Sequence, residues 1–382
     1  MIQIIDKADC CGCTACASIC PKDAISMESD SLGFKYPKVD LSKCIDCSLC
    51  EKVCAFNDNY DKSQNLNSPE IYAARHKNIH EIETSRSGAA FIAISDYILR
   101  NGGIVYGVGY KDHFRVVHKR ATTREERDEF KGSKYVQSDL DGIFRQVKED
   151  LKQGKIVLFS GTPCQTAGLA SYIGKRLIDN LILVDIVCHG VPAPNIWRDY
   201  ISYLEEKYKQ QIIKVNFRDK SRIGWNGHIE SFIFQDGRKK EFNIYTYLFY
   251  RHIMLRPSCS KCHYTNFVRP SDFTLADYWG WEKLSIDFNK DNRGCSLLLV
   301  NTLKGMEIFE KIKSELSCLA TTQELCIQPN LKQPSKFDNQ WTDFRDLYIK
   351  RGFIEVAKRY GNIGWRYFIR QKKQAIKKYL RR

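Results

Sequence analysis

From Ile71 onward the chain alternates between short β-branched runs and stretches of helical periodicity. Ile104-Val-Tyr-Gly-Val108, Lys155-Ile-Val-Leu-Phe159 and Leu181-Ile-Leu-Val-Asp-Ile-Val187 are almost continuously apolar, the pattern of buried strands. Leu140, Ile143, Phe144, Val147 and Leu151 recur at helical steps, predicting a helix capped by Asp139 and closed by Gly154. A further apolar helix, Phe91 to Leu99, follows the small-residue turn Ser85-Arg-Ser-Gly-Ala89. Strands separated by helices predict an α/β domain whose mostly parallel sheet is covered on its faces. In such sheets, ligands gather beyond the carboxyl ends of the strands. Two strands run there into Ser160-Gly-Thr-Pro-Cys164 and Cys188-His-Gly-Val-Pro192, so both thiols are expected on one edge.

The first 60 residues follow a different logic, set by cysteine spacing. Cys10, Cys13, Cys16 and Cys20, followed by Pro21, read C-x2-C-x2-C-x3-C-P, and Cys44, Cys47, Cys50 and Cys54 repeat the spacing with Ala55 in place of proline. A tight loop with cysteines three apart turns three thiolates toward one point, while the fourth serves the other cluster. Cys10, Cys13, Cys16 and Cys54 are therefore expected to hold one [4Fe–4S] cluster, and Cys44, Cys47, Cys50 and Cys20 the second. Zinc has no use for a triple spacing followed by C-P. Residues 1–60 resemble bacterial two-cluster ferredoxins, which implies an α+β ferredoxin-like head that wires electrons. Cys11 lies outside the pattern. Residues 61–69, polar and turn-rich, read as a linker to a body over 70–335, followed by a basic helical tail over 336–382.

In the body, Cys164, Cys188, Cys259 and Cys262 are expected to converge as a third [4Fe–4S] site. Two alternatives stay open: Cys164 and Cys188 as small buried apolar residues, and zinc held by Cys259 and Cys262 with His263. Cys295, Cys318 and Cys326 have no spacing logic and read as structural. Sixteen cysteines in 382 residues, with no signal-like start and no apolar run of about 18 residues, fit a cytoplasmic chain whose thiols stay reduced.

Charge is uneven. The total is +15, yet residues 1–60 sum to −3 and residues 341–382 to +10. In the tail, Trp365, Phe368, Ile369, Ile376, Tyr379 and Leu380 interleave with Arg366, Arg370, Lys372, Lys373, Lys377, Lys378, Arg381 and Arg382. That pattern suits contact with an anionic membrane surface, which would make the chain peripheral to the inner face. A solvated face on a terminal helix docked on the body is the alternative reading. Nucleic acid is a third acidic partner, without helix-turn-helix or finger spacing to support it.

The turns at Ser87 and Gly88 and at Ser160, Gly161 and Thr162 each offer N–H groups at a helix start, fit for an anion or a flat ring. Each is also read simply as a helix start. No G-x-G-x-x-G is present, and Gly168 to Gly174 fails the P-loop spacing. His189, beside Cys188, is a candidate proton donor, and Asp277 and Arg218 are candidate polar groups at the site.

The body resembles the coenzyme F420 hydrogenase/dehydrogenase beta-subunit family. The matching segments are the Ser-Gly turn at 87–88, Lys131-Gly-Ser-Lys-Tyr-Val-Gln-Ser-Asp139, Ser160-Gly-Thr-Pro-Cys-Gln165 and Val184-Asp-Ile-Val-Cys-His-Gly-Val-Pro192. They continue with Arg256-Pro-Ser-Cys-Ser-Lys-Cys262 and Pro270-Ser-Asp-Phe-Thr-Leu-Ala-Asp-Tyr-Trp-Gly280, over roughly residues 70–305. The resemblance implies FAD and iron–sulfur clusters passing electrons between one-electron partners and coenzyme F420 or another two-electron substrate. It places Ser87, Gly88, Lys134, Tyr135, Gln137, Ser138, Ser160, Gly161 and Thr162 at the flavin, and Cys164, Cys188, Cys259 and Cys262 at a cluster. It also implies a redox partner protein, a ferredoxin or a hydrogenase or dehydrogenase subunit. Members of the family occur in surface-polysaccharide gene clusters, so a glycan-linked substrate is a further class. A flavin suits the head, because clusters carry single electrons and hydride chemistry moves two. The reading is thus an iron–sulfur flavoprotein oxidoreductase, with a non-catalytic electron-relay subunit as the alternative.

Overall fold

A computed structural model describes residues 1–57, 61–364, 367 and 369. The head is a short helix, Ala15–Ile19, an antiparallel hairpin of β1 (Ile25–Ser29) and β2 (Lys35–Val39), and a second short helix, Leu49–Lys52. The two cysteine loops share a backbone device. Gly12 and Thr14 in the first, and Asp46 and Ser48 in the second, all take left-handed φ between 49° and 72°. These paired reversals curl each loop so that successive thiols face inward.

The body is built on eight strands: β3 (Asn65–His76), β4 (Ile104–Lys111), β5 (Arg115–Ala121), β6 (Val157–Gly161), β7 (Leu181–Ile186), β11 (Phe273–Asp277), β12 (Ser296–Thr302) and β13 (Leu316–Ala320), in the order β13-β3-β12-β11-β7-β6-β4-β5. The sheet is parallel only through its centre, β11-β7-β6-β4; the β13, β3, β12 and β5 pairings are antiparallel. The expected mostly parallel sheet is therefore a mixed one. β5 follows β4 through a short turn and β12 follows β11 without a crossover helix, which a parallel pairing of consecutive strands requires, whereas β13 follows β12 through the helix Leu303–Ile312 and pairs antiparallel with β3. The three apolar runs all form central strands. Residues 65–69, expected as linker, open β3, because Asn65 pairs with Thr302 and its amide donates to the Arg269 carbonyl at 2.9 Å.

The helix expected after Asp139 is Ile143–Lys152, with Gly142 at its cap. Asp139 does not cap it. Its carboxylate accepts from Asp141 N–H at 3.2 Å, ahead of the helix, and receives Lys35 Nζ at 2.8 Å and Arg115 Nη1 at 3.2 Å, tying head to body.

A second, three-stranded antiparallel sheet, β10-β9-β8, comprises β8 (Ile212–Asn216), β9 (Glu230–Phe234) and β10 (Lys239–Phe242). It encloses an aromatic core with the helices Pro194–Tyr208, Ile244–Phe249 and Asn339–Arg359. Leu32 and Phe34 of the head join that core. The last helix buries Phe344, Tyr348, Phe353, Val356 and Ala357, so the tail as far as Tyr360 docks on the body. Of the aromatic and basic residues that predicted membrane contact, all but Ile369 lie outside the described residues. No described helix is long and apolar enough to cross a membrane. Phe353 packs 5.4 Å from the Tyr200 ring. Phe353→Ala is expected to lower stability by about 3–5 kcal/mol; an unchanged urea midpoint would show that this helix is not part of the cooperative core.

Candidate redox site

The candidate cluster thiols lie in three groups. Cys20, Cys44, Cys47 and Cys50 line one small cavity of the head, so Cys20 joins the three cysteines of the other repeat. Backbone N–H groups point at two of these sulfurs, Ala24 to Cys20 at 3.3 Å and Ile2 to Cys50 at 3.2 Å. Cys16 is the centre of the second group. Burial pushes its thiol well up, and Cys13, Cys10 and Cys54 stand near enough to push it further.

The third group joins three distant segments. Cys164 opens the helix Pro163–Ile173 after β6, Cys188 follows β7, and Cys259 lies within the short turn Pro257–Lys261 that Cys262 closes. All four line one cavity with Phe56, His189 and Arg256. Burial raises the Cys188 thiol, and the neighbouring Cys259, Cys164 and Cys262 raise it further. Gly190 N–H donates to Cys188 Sγ at 3.4 Å and Val191 N–H to Cys259 Sγ at 3.4 Å. Gly190 has φ 121°, and a Cβ there would lie 2.7 Å from Leu255, so this hairpin of donors needs glycine. Cys11 is buried between this group and Cys13 of the head, lining the same cavity. Among the described residues, no three ligating side chains close tightly enough for a single metal ion; the thiols surround small cavities instead. Cys295 and Cys326 are core residues, and Cys318 packs beside the β3 edge.

Beyond the carboxyl ends of β6, β7 and β11 lies a cavity of about 480 Å³, within the range that holds a cofactor. It is lined by Ser87, Lys134, Tyr135, Ser138, Ser160, Gly161, Thr162, His189 and Asp277 from the sequence reading. Cys188 and His189 line both this cavity and the third thiol cavity. Two expected residues are elsewhere. Gly88 is wedged against the sheet, where a Cβ would lie 2.1 Å from the Ala74 carbonyl, because the turn crosses β3 and β12 at contact distance. Gln137 faces the head, donating to the Cys11 carbonyl at 3.0 Å and accepting from Arg256 at 2.8 Å.

The floor of the cavity is a fixed polar network. Ser138 Oγ bonds His118 Nδ1 at 3.0 Å and accepts from Gln165 at 3.0 Å, while Gln165 Oε1 accepts from Thr162 N–H at 2.9 Å. Burial pulls His118 down to about 4, so it is neutral near pH 7. The far wall is cationic. Arg218 pairs with Asp277 at 2.5 Å, and Arg86 lies 3.9 Å from the same carboxylate. Burial pulls Arg86 down to about 10. Lys134 Nζ bonds the Glu129 and Lys131 carbonyls, and burial lowers it to about 7.

His189, the candidate proton donor, and Asp277, a candidate polar group at the site, both have close partners. His189 Nε2 meets His252 Nε2 at 2.5 Å, and burial, with His252 beside it, lowers His189 to about 4. It is neutral near pH 7. Asp277 accepts from Arg218 and from Trp225 Nε1 at 3.0 Å, which commits it to holding that wall. In the sequence, Arg86 and Arg256 stand out only as parts of longer motifs. Their burial, which marks them, is a tertiary property.

Residues 154–324 match the family model for the C terminus of the coenzyme F420 hydrogenase/dehydrogenase beta subunit, and residues 9–57 match the 4Fe-4S dicluster domain. The chain is 22% identical over 227 residues to a subunit of the F(420)H(2) dehydrogenase of Methanosarcina mazei, covering 57% of this chain and 62% of that protein. It therefore spans less than two thirds of that relative. Over 54 residues, 14% of this chain and 69% of the relative, it is 35% identical to an uncharacterized ferredoxin of Methanocaldococcus jannaschii. A chain of the F420-reducing [NiFe] hydrogenase complex from Methanosarcina barkeri aligns with TM-score 0.45 and 16% identity, covering 77% of this chain and 91% of its own. The chain thus carries, over residues 154–324, the C-terminal domain of the coenzyme F420 hydrogenase/dehydrogenase beta-subunit family and, over residues 9–57, a 4Fe–4S dicluster domain.

Proposed function

We propose that this chain is an iron–sulfur flavoprotein subunit that transfers electrons between a redox partner protein and a two-electron substrate. The observation that carries this reading is the shared wall: Cys188 and His189 border the third thiol group on one side and the large cavity on the other. One-electron and two-electron sites separated by a single residue layer are what such an enzyme needs. A pure relay subunit has no use for a 480 Å³ cavity lined with fixed donors.

The residues fit the groups assigned to them. Cys10, Cys13, Cys16 and Cys54 would hold one [4Fe–4S] cluster, Cys20, Cys44, Cys47 and Cys50 a second, and Cys164, Cys188, Cys259 and Cys262 a third. Donor chemistry supports this, since reduced thiols with N–H groups aimed at their sulfurs suit iron–sulfur cages. The large cavity would hold FAD, which exchanges electrons singly with clusters and in pairs with a hydride substrate. Ser160, Gly161 and Thr162 would present the start of the helix Pro163–Ile173 to it, while Ser87 anchors its own turn by donating to the Cys295 carbonyl at 2.7 Å. Ser138, locked by His118 and Gln165, would fix one polar contact. Tyr135 would offer its ring, and Lys134 a cation near its titration point. Neutral His189 would fill space and hold His252, while Asp277 would orient Arg218. Of the substrate classes the sequence allowed, the name of the dehydrogenase relative favours coenzyme F420.

Anaerobic reconstitution tests the reading. The protein is expected to bind about twelve irons per chain, release FAD on heating and lose its yellow absorbance when reduced ferredoxin is added. Protein that stays colourless after reconstitution would overturn it.

A further inference from the structure

Arg256 has no accessible surface, yet among the described residues it forms no ion pair with a carboxylate. Its guanidinium instead spans the seam between head and body. Nε donates to the Cys10 carbonyl at 2.8 Å, Nη1 to Gln137 Oε1 at 2.8 Å, and Nη2 to the Lys35 carbonyl at 2.9 Å and Cys10 Sγ at 3.7 Å. The Tyr36 ring lies 4.3 Å away and the Phe34 ring 5.4 Å. A Cβ on Gly12 would fall 2.8 Å from the guanidinium, so the first cysteine loop closes directly over it. Its backbone belongs to the other side: Arg256 N–H donates to the Val191 carbonyl at 2.9 Å, and its own carbonyl accepts from Cys259 N–H at 3.0 Å.

Burying a cation without an anion costs several kcal/mol. Here the compensating charge must come from sulfur. The positive charge of Arg256 bears on Cys10 and Cys13 of one group and on Cys164 and Cys259 of the other, favouring thiolate at each. Four thiolates outweigh the charge of an iron–sulfur core, so each ligated cluster is anionic and becomes more so on reduction. A cation fixed between two such clusters stabilises the reduced form of both. Net charge and hydrogen bonds to sulfur are the levers that set cluster potentials.

We propose that Arg256 is a positioning residue that raises the reduction potentials of the two clusters it lies between, those at Cys10/Cys13/Cys16/Cys54 and at Cys164/Cys188/Cys259/Cys262. This rests on the cluster reading above. None of the thiols of the outer group, Cys20/Cys44/Cys47/Cys50, is among the hydrogen-bond partners of the guanidinium, so that cluster serves as an internal control.

The test is a redox titration of the full chain, reconstituted anaerobically and followed by electron paramagnetic resonance, with Cys188→Ser used to assign the third signal. Arg256→Gln is expected to shift the one-electron equilibrium of both flanking clusters toward oxidation by roughly tenfold, about 59 mV, and to leave the outer cluster unmoved. Arg256→Lys, which keeps the charge, restores most of the shift. Gln137→Glu sets a carboxylate beside the guanidinium at unchanged volume and lowers the same two potentials. If Arg256→Gln fails to load its clusters, Gln137→Glu decides the matter. Unmoved potentials, an equal shift of all three clusters, or an Arg256→Lys variant indistinguishable from Arg256→Gln would overturn the assignment. Wild-type protein that binds no clusters would instead overturn the reading beneath it.

Discussion

Replacing Cys188 by serine is expected to lower the iron content of anaerobically prepared protein from about twelve to about eight atoms per chain. Serine oxygen is a poor partner for an iron–sulfur core, which selects soft thiolate. The side chain is partly exposed to the thiol cavity and nearly isosteric, so the fold is expected to survive, with an unchanged far-ultraviolet spectrum. Electron delivery is the second readout. Cys188 belongs to the layer between the thiol group and the large cavity. The variant should therefore keep two reducible head clusters and bind flavin, yet no longer bleach that flavin with reduced ferredoxin, while dithionite still bleaches it. Twelve irons retained in the variant would remove Cys188 from the ligand set. Full bleaching by ferredoxin at eight irons would remove the third group from the electron path.

Substitution of Arg269 is expected to destabilise the fold strongly. Arg269 and Asp185 are both 0% exposed and pair at 2.9 Å. The same guanidinium donates to the Ile186 carbonyl at 2.9 Å, to Thr274 Oγ1 at 3.2 Å and to the Tyr264 carbonyl. It thereby ties the end of β7 and the start of β11 to the loop that follows Cys262. Arg269→Met leaves a buried carboxylate alone and is expected to cost about 3–5 kcal/mol. The pH dependence carries a definite sign. Burial raises Asp185 above its ordinary value, although Arg269 works against that shift. Between the unfolded and folded values the native state binds more protons, so stability falls as pH rises through that window. Without Arg269 the rise is larger, and the deficit of the variant shrinks as acid protonates Asp185. Adding Asp185→Leu to Arg269→Met should recover much of the loss, because a buried pair can be replaced by apolar packing. A single variant as stable as the parent at neutral pH would show that the pair is not buried in solution.

Much of the site could be read from short stretches of chain. The eight head cysteines and their crosswise grouping follow from spacing, since a cysteine after a three-residue gap cannot turn back to its own loop. The strands that end in Cys164 and Cys188 were visible as apolar runs, and parallel neighbours necessarily bring their ends to one edge. Ser160 to Thr162 and Ser138 were legible as motif residues, and they line the cavity. Gly88 and Gln137 do not line the cavity, for opposite reasons. Gly88 serves a close backbone approach, while Gln137 stands in the same motif as Ser138 but faces the head. A motif shows which residues travel together, not which way each side chain points.

Local pattern was enough for the kind of chemistry and the identity of the central strands, because ligand spacing and apolar period are properties of neighbouring residues. Whatever depends on residues brought from far along the chain required the fold: the antiparallel flanks of the sheet, the aromatic second sheet sealed by Asn339–Arg359, the seam closed on Arg256, and the neutral His189 paired with His252. Burial and partner choice decide charge state, register and exposure. Those follow from packing free energy summed over the whole molecule, which no short window of sequence contains.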